Sequence, residues 1–451
     1  MFKRAPKSVM ALGAGVAAAA MLLTGCGAPG GTNSATSAPV SQADIDKAMN
    51  TDTTLNFWTW VPNIDQEVAL FEQKYPKIKV NVQNVGQGPA HYQKVRAAIA
   101  AGQGAPDVIQ LEYPYISSFQ LSNNLLDLSP YGAKDMKDQY ADWVWNQVSR
   151  GDKVYSIPQD SGPMGNLYRS DILAKAGLTS APKSWDEYAA AAKTIKEKTG
   201  AYITDLPTSD AGAFIGLLWQ AGVKPFSYSG GQDVGINLDT DKAQQVAKYW
   251  NTLLQQDLVA NDPNFTDTWY QGLANGKYAG WLTAAWGPLF LQGTAKNTAG
   301  LWSAAPLPQY GAGQNVSANL GGSSDAVLAG TKNPIAAAKL AEFINSDPVS
   351  TAMLNSKQSL FPTTNVLLQG SDFKNQGSAF YGGQKVNGLF ADISTTVDKT
   401  FEWPPFQDYV TASFKETLGK AIADKTDLGV GLSAWQKNLV SYAKSQGFNV
   451  K

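Results

Sequence analysis

The chain is poor in the residue types that most chemical sites need. Its 451 residues include a single cysteine, Cys26, and a single histidine, His91. One cysteine cannot form an intramolecular disulfide, and one cysteine with one histidine cannot complete a zinc site of these ligands. Nucleophilic triads usually take their base from histidine, and His91, beside a predicted helix start, is expected on the surface. The sequence therefore predicts no catalytic residue, no metal site and no cofactor.

Charge is also scarce. Charged residues make up 16% of the chain, and the formal net charge is −1. No long basic run is present, which argues against binding nucleic acid or an anionic membrane through charge. A Walker A loop, a dinucleotide-binding fingerprint and calcium-loop spacing are all missing. The remaining enzyme class is a glycosidase built from carboxylates alone, such as Glu112, Asp160 and Glu402, but their spacing gives it no support.

Long apolar runs are missing after the N-terminal region. Val9 to Leu23 carries no charge and follows Lys3, Arg4 and Lys7, which is typical of a secretory signal. At about fifteen residues this stretch is shorter than the roughly 20 that a membrane-spanning helix needs. It ends in Leu-Thr-Gly-Cys26, which resembles the lipobox of bacterial lipoproteins; an ordinary signal peptide with a chance cysteine is the alternative. We expect residues 1–25 to be the signal and Cys26 to carry the lipid.

The segment after Cys26 is rich in Gly, Ser, Thr, Ala and Pro up to Gln42. Such a composition cannot bury a core and favours a flexible linker. We therefore expect residues 26–50 to tether a soluble protein to the outer face of the cell membrane. The remaining chain is long enough for two or more domains, and an apolar content of 43% can supply their cores.

Aromatic residues are abundant by contrast. They make up 11% of the chain and include 13 tryptophans. Part of this tryptophan content must lie in the core. The rest indicates a surface or cleft that stacks on a flat, weakly charged ligand.

Strand and helix patterns alternate in the N-terminal part. Leu55–Trp60 alternates apolar and polar residues, Asn63 and Gln66 form a possible capping pair for a helix, and strands are predicted at 78–82 and 107–111. This order predicts an α/β protein with a parallel sheet and right-handed crossovers. Because ligands bind off the carboxyl ends of such strands, the loops after Trp58 and Leu111 are the first candidates for a site.

Helix signals continue through the rest of the chain. Ser184 and Glu187 form a second capping box, and Gly200 is placed to end that helix. Asn333-Pro334 predicts a helix start with proline in the first turn. Two late helices are predicted at 405–423 and 432–445, and no internal repeat of fixed period is present.

Four segments, taken in order behind the lipobox, resemble a known family. They are Leu55-Asn56-Phe57-Trp58-Thr59-Trp60, Ala105-Pro106-Asp107-Val108-Ile109, Gly151-Asp152-Lys153-Val154-Tyr155-Ser156-Ile157-Pro158 with Leu167-Tyr168-Arg169, and Gly276-Lys277-Tyr278-Ala279 with Trp286-Gly287. The chain is similar in these segments to the extracellular solute-binding proteins of family 1, which include maltose- and oligosaccharide-binding lipoproteins of ABC importers.

The resemblance implies a two-lobed type II periplasmic-binding-protein fold. Each lobe would be a mostly parallel sheet flanked by helices, with an N-terminal lobe at 51–160 plus 322–368 and a C-terminal lobe at 161–321 plus 369–451. Chain crossings are expected near 157–161, 319–323 and 365–372. Hinge closure would bury the ligand in the cleft between the lobes.

The resemblance also implies the function. The protein would capture a carbohydrate of a few units and pass it to the permease subunits of an ABC importer, acting as a monomer. A polyamine or a peptide is the alternative ligand, but low charge and many tryptophans favour a sugar.

A sugar site needs aromatic planes for the C–H faces and fixed polar groups for the hydroxyls. The candidate ligand-binding residues are Trp60, Asn63, Glu112, Tyr113, Gln159, Asp160, Trp219, Trp286, Gly322, Ser323, Asp392 and Trp403. Trp286 and Trp403 match aromatic regions of the family. Others have a structural alternative, as a helix cap (Asn63), a core ring (Trp219), or braces and turns of the hinge (residues 159–160 and 321–323).

Overall fold

A computed structural model describes residues 38–451. The predicted signal peptide, Cys26 and the first part of the predicted tether lie outside the described residues. A search of the described helices for one long and apolar enough to cross a membrane found none.

The described chain combines short strands with many helices. The strands are β1 (Thr53–Trp58), β2 (Ile78–Gln83), β3 (Val108–Glu112), β4 (Ser149–Arg150), β5 (Lys153–Val154), β6 (Ile157–Asp160), β7 (Met164–Arg169), β8 (Phe226–Ser227), β9 (Asp233–Ile236), β10 (Gly280–Ala284), β11 (Trp302–Pro306), β12 (Ser323–Val327) and β13 (Asn449–Val450).

The described residues also form α-helices. They are α1 (Gln42–Met49), α2 (Asp65–Lys74), α3 (Pro89–Ala101), α4 (Tyr113–Leu121), α5 (Asp142–Val148), α6 (Ser170–Lys175), α7 (Trp185–Thr199), α8 (Ala211–Gln220), α9 (Asp241–Gln255), α10 (Asp267–Asn275), α11 (Gly287–Thr294), α12 (Pro334–Ser346), α13 (Pro348–Ser356), α14 (Asn365–Gln369), α15 (Ser371–Asn375), α16 (Val386–Ser394), α17 (Gln407–Glu416), α18 (Leu418–Ala423) and α19 (Leu428–Ser445).

The first sheet has the order β2-β1-β3-β12-β6. β1 is parallel to β2 and β3, while β12 is antiparallel to both β3 and β6, so β12 alone runs against the other strands of this sheet. The parallel arrangement predicted for the N-terminal part is confirmed. β3 is buried from Val108 to Leu111 and is apolar there except for Gln110, as expected for a central strand in a sheet covered by helices such as α12.

The second sheet, β10-β7-β11, differs from the expectation of a mostly parallel sheet. β7 lies in the centre and is antiparallel to both neighbours. A short apolar run does not encode the direction of a neighbour that lies far away in sequence, so local patterns could not reveal this. α16 packs against β7 and β11, and β13-β9-β8 form a small third sheet.

Three chain segments lie side by side where the chain passes between the two large sheets. The amide of Ser161 donates to the carbonyl of Phe361 (3.1 Å), and the amide of Leu320 donates to the carbonyl of Gly162 (2.8 Å). A Cβ atom on Gly162 would lie 2.1 Å from the oxygen of Leu320, so only glycine fits at this contact. The segments at 161–162 and at 320 fall at or next to the predicted crossings 157–161 and 319–323. At the third predicted crossing, 365–372, residues 365–369 form α14, and the contacting residue Phe361 lies before it. The lobe boundaries stay a prediction.

The predicted flexible tether, residues 26–50, includes residues that form a helix. Residues 42–49 form α1, capped by the side chain of Ser41, which accepts from the amide of Asp44. Met49 is buried, Ile45 packs against the core, and α1 contacts α12. The spacing of Ile45 and Met49 gives the helix an apolar stripe, which explains why this segment is ordered despite its polar composition.

One of the two predicted helix N-caps is confirmed and the other is wrong. Ser184 caps α7 by accepting from the amide of Glu187, and Gly200 ends the helix in the left-handed conformation, as predicted. The prediction that Asn63 caps α2 is wrong. Asn63 has φ of 59°, its side chain does not cap α2, and Ile64 is the residue that precedes the helix.

Helix starts near the C-terminal end follow the sequence less closely. Pro334 lies in the first turn of α12 as predicted. The predicted helix 405–423 is divided into α17 and α18 at Thr417, whose backbone is not helical. The last helix begins at Leu428, where the side chain of Asp427 accepts from the amide of Val430.

Candidate functional site

A small pocket, with about 20 Å³ of enclosed space, opens beside the segment that links β11 to β12. Its walls come from the loops before α8 and α10, from β10 and from the residues just after β10. The lining residues are Asp205, Pro207, Asp210, Ala213, Asn264, Phe265, Trp269, Trp281, Leu282, Trp286 and Leu320. An aromatic wall with a few polar groups is typical of a small-molecule site.

Three tryptophans form the aromatic wall. The ring of Trp281 lies edge-on to that of Trp269, with centroids 5.0 Å apart, and to that of Trp286, with centroids 5.7 Å apart. Trp286 is half-buried, and its Nε1 donates to the carbonyl oxygen of Leu320 (2.9 Å). This hydrogen bond, together with the packing on Trp281, fixes the ring plane of Trp286 at the cavity.

Two aspartates supply acceptors from the same side. Asp205 accepts from Nε1 of Trp269 (3.1 Å) and from the amide of Asp262 (2.8 Å). Burial raises the pKa of Asp205 to about 7. Asp210 accepts from Nδ2 of Asn264 (2.9 Å) and caps α8, and burial raises the pKa of its carboxyl as well.

Glu112 lies at the carboxyl end of β3. Tyr92 donates its hydroxyl to Oε2 of Glu112 (2.8 Å) and accepts from the Glu112 amide (3.0 Å). Burial, with a smaller contribution from the charges of Asp160 and Asp210, raises the pKa of Glu112 to about 7. Glu112 is paired with Ser323 of β12, which follows the pocket residue Leu320 by three residues.

Asp160, at the end of β6, is held rigidly. Oδ1 accepts from the amide of Ser323 (2.7 Å) and from its hydroxyl, while Tyr113 donates its hydroxyl to the Asp160 carbonyl (2.8 Å). Burial raises the pKa of this carboxyl to about 6. A Cβ atom on Gly322 would lie 2.6 Å from the ring of Tyr113, so this glycine serves packing at the crossing.

Trp60 follows β1 and is connected to Asp160 through a buried glutamine. Oε1 of Gln110 accepts from the amide of Trp60 (3.0 Å), and its Nε2 donates to Oγ of Ser323 (2.9 Å). The half-buried ring of Trp60 packs edge-on against His91, with centroids 5.1 Å apart. His91 is fully buried, so the prediction of a surface histidine is wrong; burial lowers its pKa to about 4.

Several predicted ligand residues lie elsewhere. Trp219 is fully buried, stacks on Phe401 with centroids 3.8 Å apart and donates Nε1 to the carbonyl of Asp398, which leaves no ring face for a ligand. Trp403 is buried and donates to Oε1 of Gln147. Asp392 is exposed on α16 and forms an ion pair with Lys374.

Three further candidates serve the framework. Gln159 is buried and donates Nε2 to Oδ2 of Asp325 (2.9 Å), and it borders a separate small pocket lined in part by Leu354 and Leu360. Tyr113 is buried and engaged with the Asp160 carbonyl. Asn63 is exposed in a tight turn before α2.

The structure adds residues that the sequence did not single out as ligand contacts. They are Asp205, Asp210, Asn264, Phe265 and Trp281. Asp210 had a recognisable signal, because an aspartate directly before the apolar run 211–219 is typical of a helix cap. The others lie in loops or strands whose geometry no local pattern describes.

The chain was compared with proteins of known sequence. Residues 53–350 match the family described as bacterial extracellular solute-binding protein. The arabinooligosaccharide-binding protein of Bacillus subtilis (strain 168) is 25% identical over 297 residues, which cover 63% of this chain and 67% of that protein. The lactose-binding protein of Rhizobium radiobacter is 25% identical over 296 residues, which cover 61% and 66%. The aligned part thus spans about two thirds of each relative.

Solved structures extend the similarity over most of the chain. The ABC transporter associated binding protein from B. animalis subsp. lactis Bl-04, solved with beta-1,6-galactobiose, is 34% identical, with a TM-score of 0.78 over 89% of this chain and 100% of that one. The galacto-N-biose-/lacto-N-biose I-binding protein from Bifidobacterium longum has the same fold, with a TM-score of 0.77 and 24% identity over 88% and 98%. With its two-sheet α/β architecture, this chain belongs to the family of bacterial extracellular solute-binding proteins.

Proposed function

We propose that this protein binds a short carbohydrate between Trp286 and the carboxylates around it, and delivers it to an ABC importer. The observation that carries the proposal is that the tryptophan wall and two carboxyl groups, those of Asp205 and Asp210, line the same pocket. Glu112 and Asp160 are the partners of Ser323 in the neighbouring strands, and Ser323 follows Leu320 of the pocket by three residues. Indole rings stack on the C–H faces of sugars, and carboxylates accept hydroxyl hydrogen bonds strongly. The names of the relatives support the same ligand class.

The carboxyl groups also explain why a sugar is favoured over a cation. Asp205, Asp210 and Asp160 are already oriented by protein donors, and burial raises the pKa of each. Oriented acceptors suit hydroxyls, whose donors are directional. A polyamine would instead profit from acids that stay charged, and it is the second candidate because Asp205 and Asp210 both line the pocket.

Calorimetry with a panel of ligands tests this function. The panel contains galactose, β-1,6-galactobiose, lactose, arabinobiose, spermidine and a tripeptide. We expect at least one sugar to bind with a dissociation constant in the micromolar range or below, and spermidine and the tripeptide not to bind. Binding of spermidine alone would overturn the carbohydrate assignment. Incubation with the same sugars should give no products, since we assign binding and no turnover.

Attachment to the membrane is the second part of the proposal. We assign a thioether-linked diacylglycerol to Cys26, at the outer face of the membrane, with the folded protein acting as a monomer. Replacing Cys26 by Ser should move the protein from the membrane fraction to the medium of a Gram-positive host, because one covalent lipid anchor is lost. The variant should bind sugar as tightly as the unchanged protein. Retention in the membrane fraction would contradict lipidation at this residue.

A further inference from the structure

Asp325 is a carboxylic acid in the interior of the first sheet. It lies on β12, between β3 and β6, and its side chain is fully buried. One carboxyl oxygen, Oδ2, accepts from Nε2 of Gln159 (2.9 Å) and from Nδ2 of Asn345 (2.8 Å). The other oxygen, Oδ1, is buried and has no donor among residues 38–451. Such an oxygen is costly to bury if the group is charged.

The amide of Asn345, near the end of α12, has a free oxygen as well. Its Nδ2 also donates to the carbonyl of Ala341 (2.9 Å), so two acceptors identify the nitrogen end of this amide. Its Oδ1 is buried and receives no hydrogen bond within the described chain. The pair therefore has one N–H···O bond and two buried oxygens that lack a hydrogen. A proton on the carboxyl group supplies it, since a neutral acid and an amide can each donate to the other.

The charges around Asp325 favour its neutral form. The titratable groups on the elements packed around β12 are Asp160 of β6, Glu112 of β3, Glu342 and Lys339 of α12, and Tyr140, whose hydroxyl donates to the backbone of Asn345. Lys339 is bound to Glu342 (2.6 Å) and to a backbone carbonyl (2.8 Å). Burial, with a smaller contribution from the charge of Asp160, raises the pKa of Asp325 to about 7.

The same arrangement recurs between α2 and the residues that follow α13. Nε2 of Gln358 donates to Oε2 of Glu67 (3.1 Å) and to the carbonyl of Asn63 (3.2 Å), which fixes the orientation of the amide. Oε1 of Glu67 and Oε1 of Gln358 are both buried, and neither has a donor in the part of the chain that the structure describes. Burial, with a smaller contribution from the charge of Asp65, raises the pKa of Glu67 to about 7. Lys357, next to Gln358, is exposed.

We propose that Asp325 and Glu67 are neutral acids in the folded protein. Each donates its proton to the amide oxygen of its partner, Asn345 or Gln358. The two partners lie at the ends of the segment 345–358, which contains α13 and leads to the crossing contact at residue 361. The two protons therefore attach this segment to β12 and α2, and alkaline pH loosens it.

The sign of the pH dependence follows from the two states of the chain. Unfolded Asp and Glu ionise with a pKa of about 4. The stability that each neutral acid contributes is therefore fully present below about pH 4. It is lost as the pH rises to the folded pKa of about 7, above which the folded protein also releases the proton.

Melting curves of amide variants test the protonation. Asp325→Asn and Glu67→Gln reproduce the donor and the acceptor of a neutral acid but do not titrate. Each should melt within a few degrees of the original protein at pH 5. The melting temperature of the variant minus that of the original should then increase by roughly 2–5 °C between pH 5 and pH 8. For Asp392→Asn, at an exposed residue, this difference should stay constant.

Two further measurements test the proton and the segment separately. At pH 6 the infrared spectrum of the original protein should contain protonated-carboxyl intensity that Asp325→Asn lacks. At pH 8.5 hydrogen exchange in residues 345–358 should be at least several-fold slower in the double variant than in the original protein. A difference in melting temperature that does not change with pH, or a variant that fails to fold, would overturn the neutral acids. Equal or faster exchange in the double variant would overturn the attachment of the segment.

Discussion

Replacing Trp286 by Ala should weaken carbohydrate binding by roughly 30- to 1,000-fold. Trp286 is the half-buried centre of the aromatic wall, and its plane is fixed by the bond from Nε1 to the Leu320 carbonyl and by Trp281. Truncating a fixed aromatic anchor of this kind costs about 2–4 kcal/mol of binding free energy. Calorimetry with the best disaccharide measures the loss.

Two comparisons make the Trp286 result interpretable. Trp286→Phe keeps a ring without the Nε1 donor and should lose less than about tenfold in affinity. Tyr310→Ala removes an exposed aromatic ring packed on Trp185 and should bind as well as the original protein. A melting curve for each variant distinguishes lost binding from lost folding. If Trp286→Ala bound within about twofold of the unchanged protein, the stacking role would be wrong.

Replacing Glu112 by Gln should weaken binding by roughly 10- to 150-fold at pH 8. Hydrogen bonds to a charged acceptor contribute about 1.5–3 kcal/mol, and glutamine removes the charge while keeping the size. The substituted amide oxygen can still accept from the Tyr92 hydroxyl, which preserves the local packing. Asp392→Asn, a charge removal at an exposed residue on α16, is the matched control and should change nothing.

The pH dependence of binding should identify the same group. Burial, with the charges of Asp160 and Asp210, raises the pKa of Glu112 to about 7 in the free protein. Sugar hydroxyls donate to the carboxylate, so binding favours the deprotonated form. Affinity should therefore be highest above pH 7 and fall as the pH drops through 7, by at most about tenfold per pH unit for this group.

Glu112 is not the sole titrating group at the site. The pKa of Asp205 is raised to about 7 and that of Asp160 to about 6, both by burial. The Glu112→Gln variant should therefore show a shallower decline between pH 8 and 5.5 rather than none. If affinity declined equally steeply with falling pH in that variant, sugar binding would not require the charge of Glu112.

The sequence predicted the architecture better than the site. The order of strands and helices indicated the parallel first sheet, and the Ser184 box with Gly200 fixed α7 at both ends. These features are local, so a single stretch of chain encodes them. The antiparallel second sheet is not local, since β7 pairs with strands from much later in the chain.

The tryptophans show why the binding site was harder to predict from the sequence than the fold. Trp219 and Trp286 both looked suitable for stacking, yet Trp219 lies on α8, which is apolar and buried along most of its length. A helix that is apolar all round is a core helix, and that pattern should have excluded Trp219. Phe265 shows the opposite limit, because no local sequence pattern predicts that it lines the pocket.

The placement of β12 has a consequence for how the chain acquires its structure. β12 lies between β3 and β6, although Ser323 at its start follows Gln110 of β3 by 213 residues and Asp160 of β6 by 163. A growing chain that has not reached Val327 therefore carries two strands with open edges, and pairing across such a separation is slow. The first sheet therefore cannot be completed before the chain has been synthesised as far as residue 327, well past its midpoint.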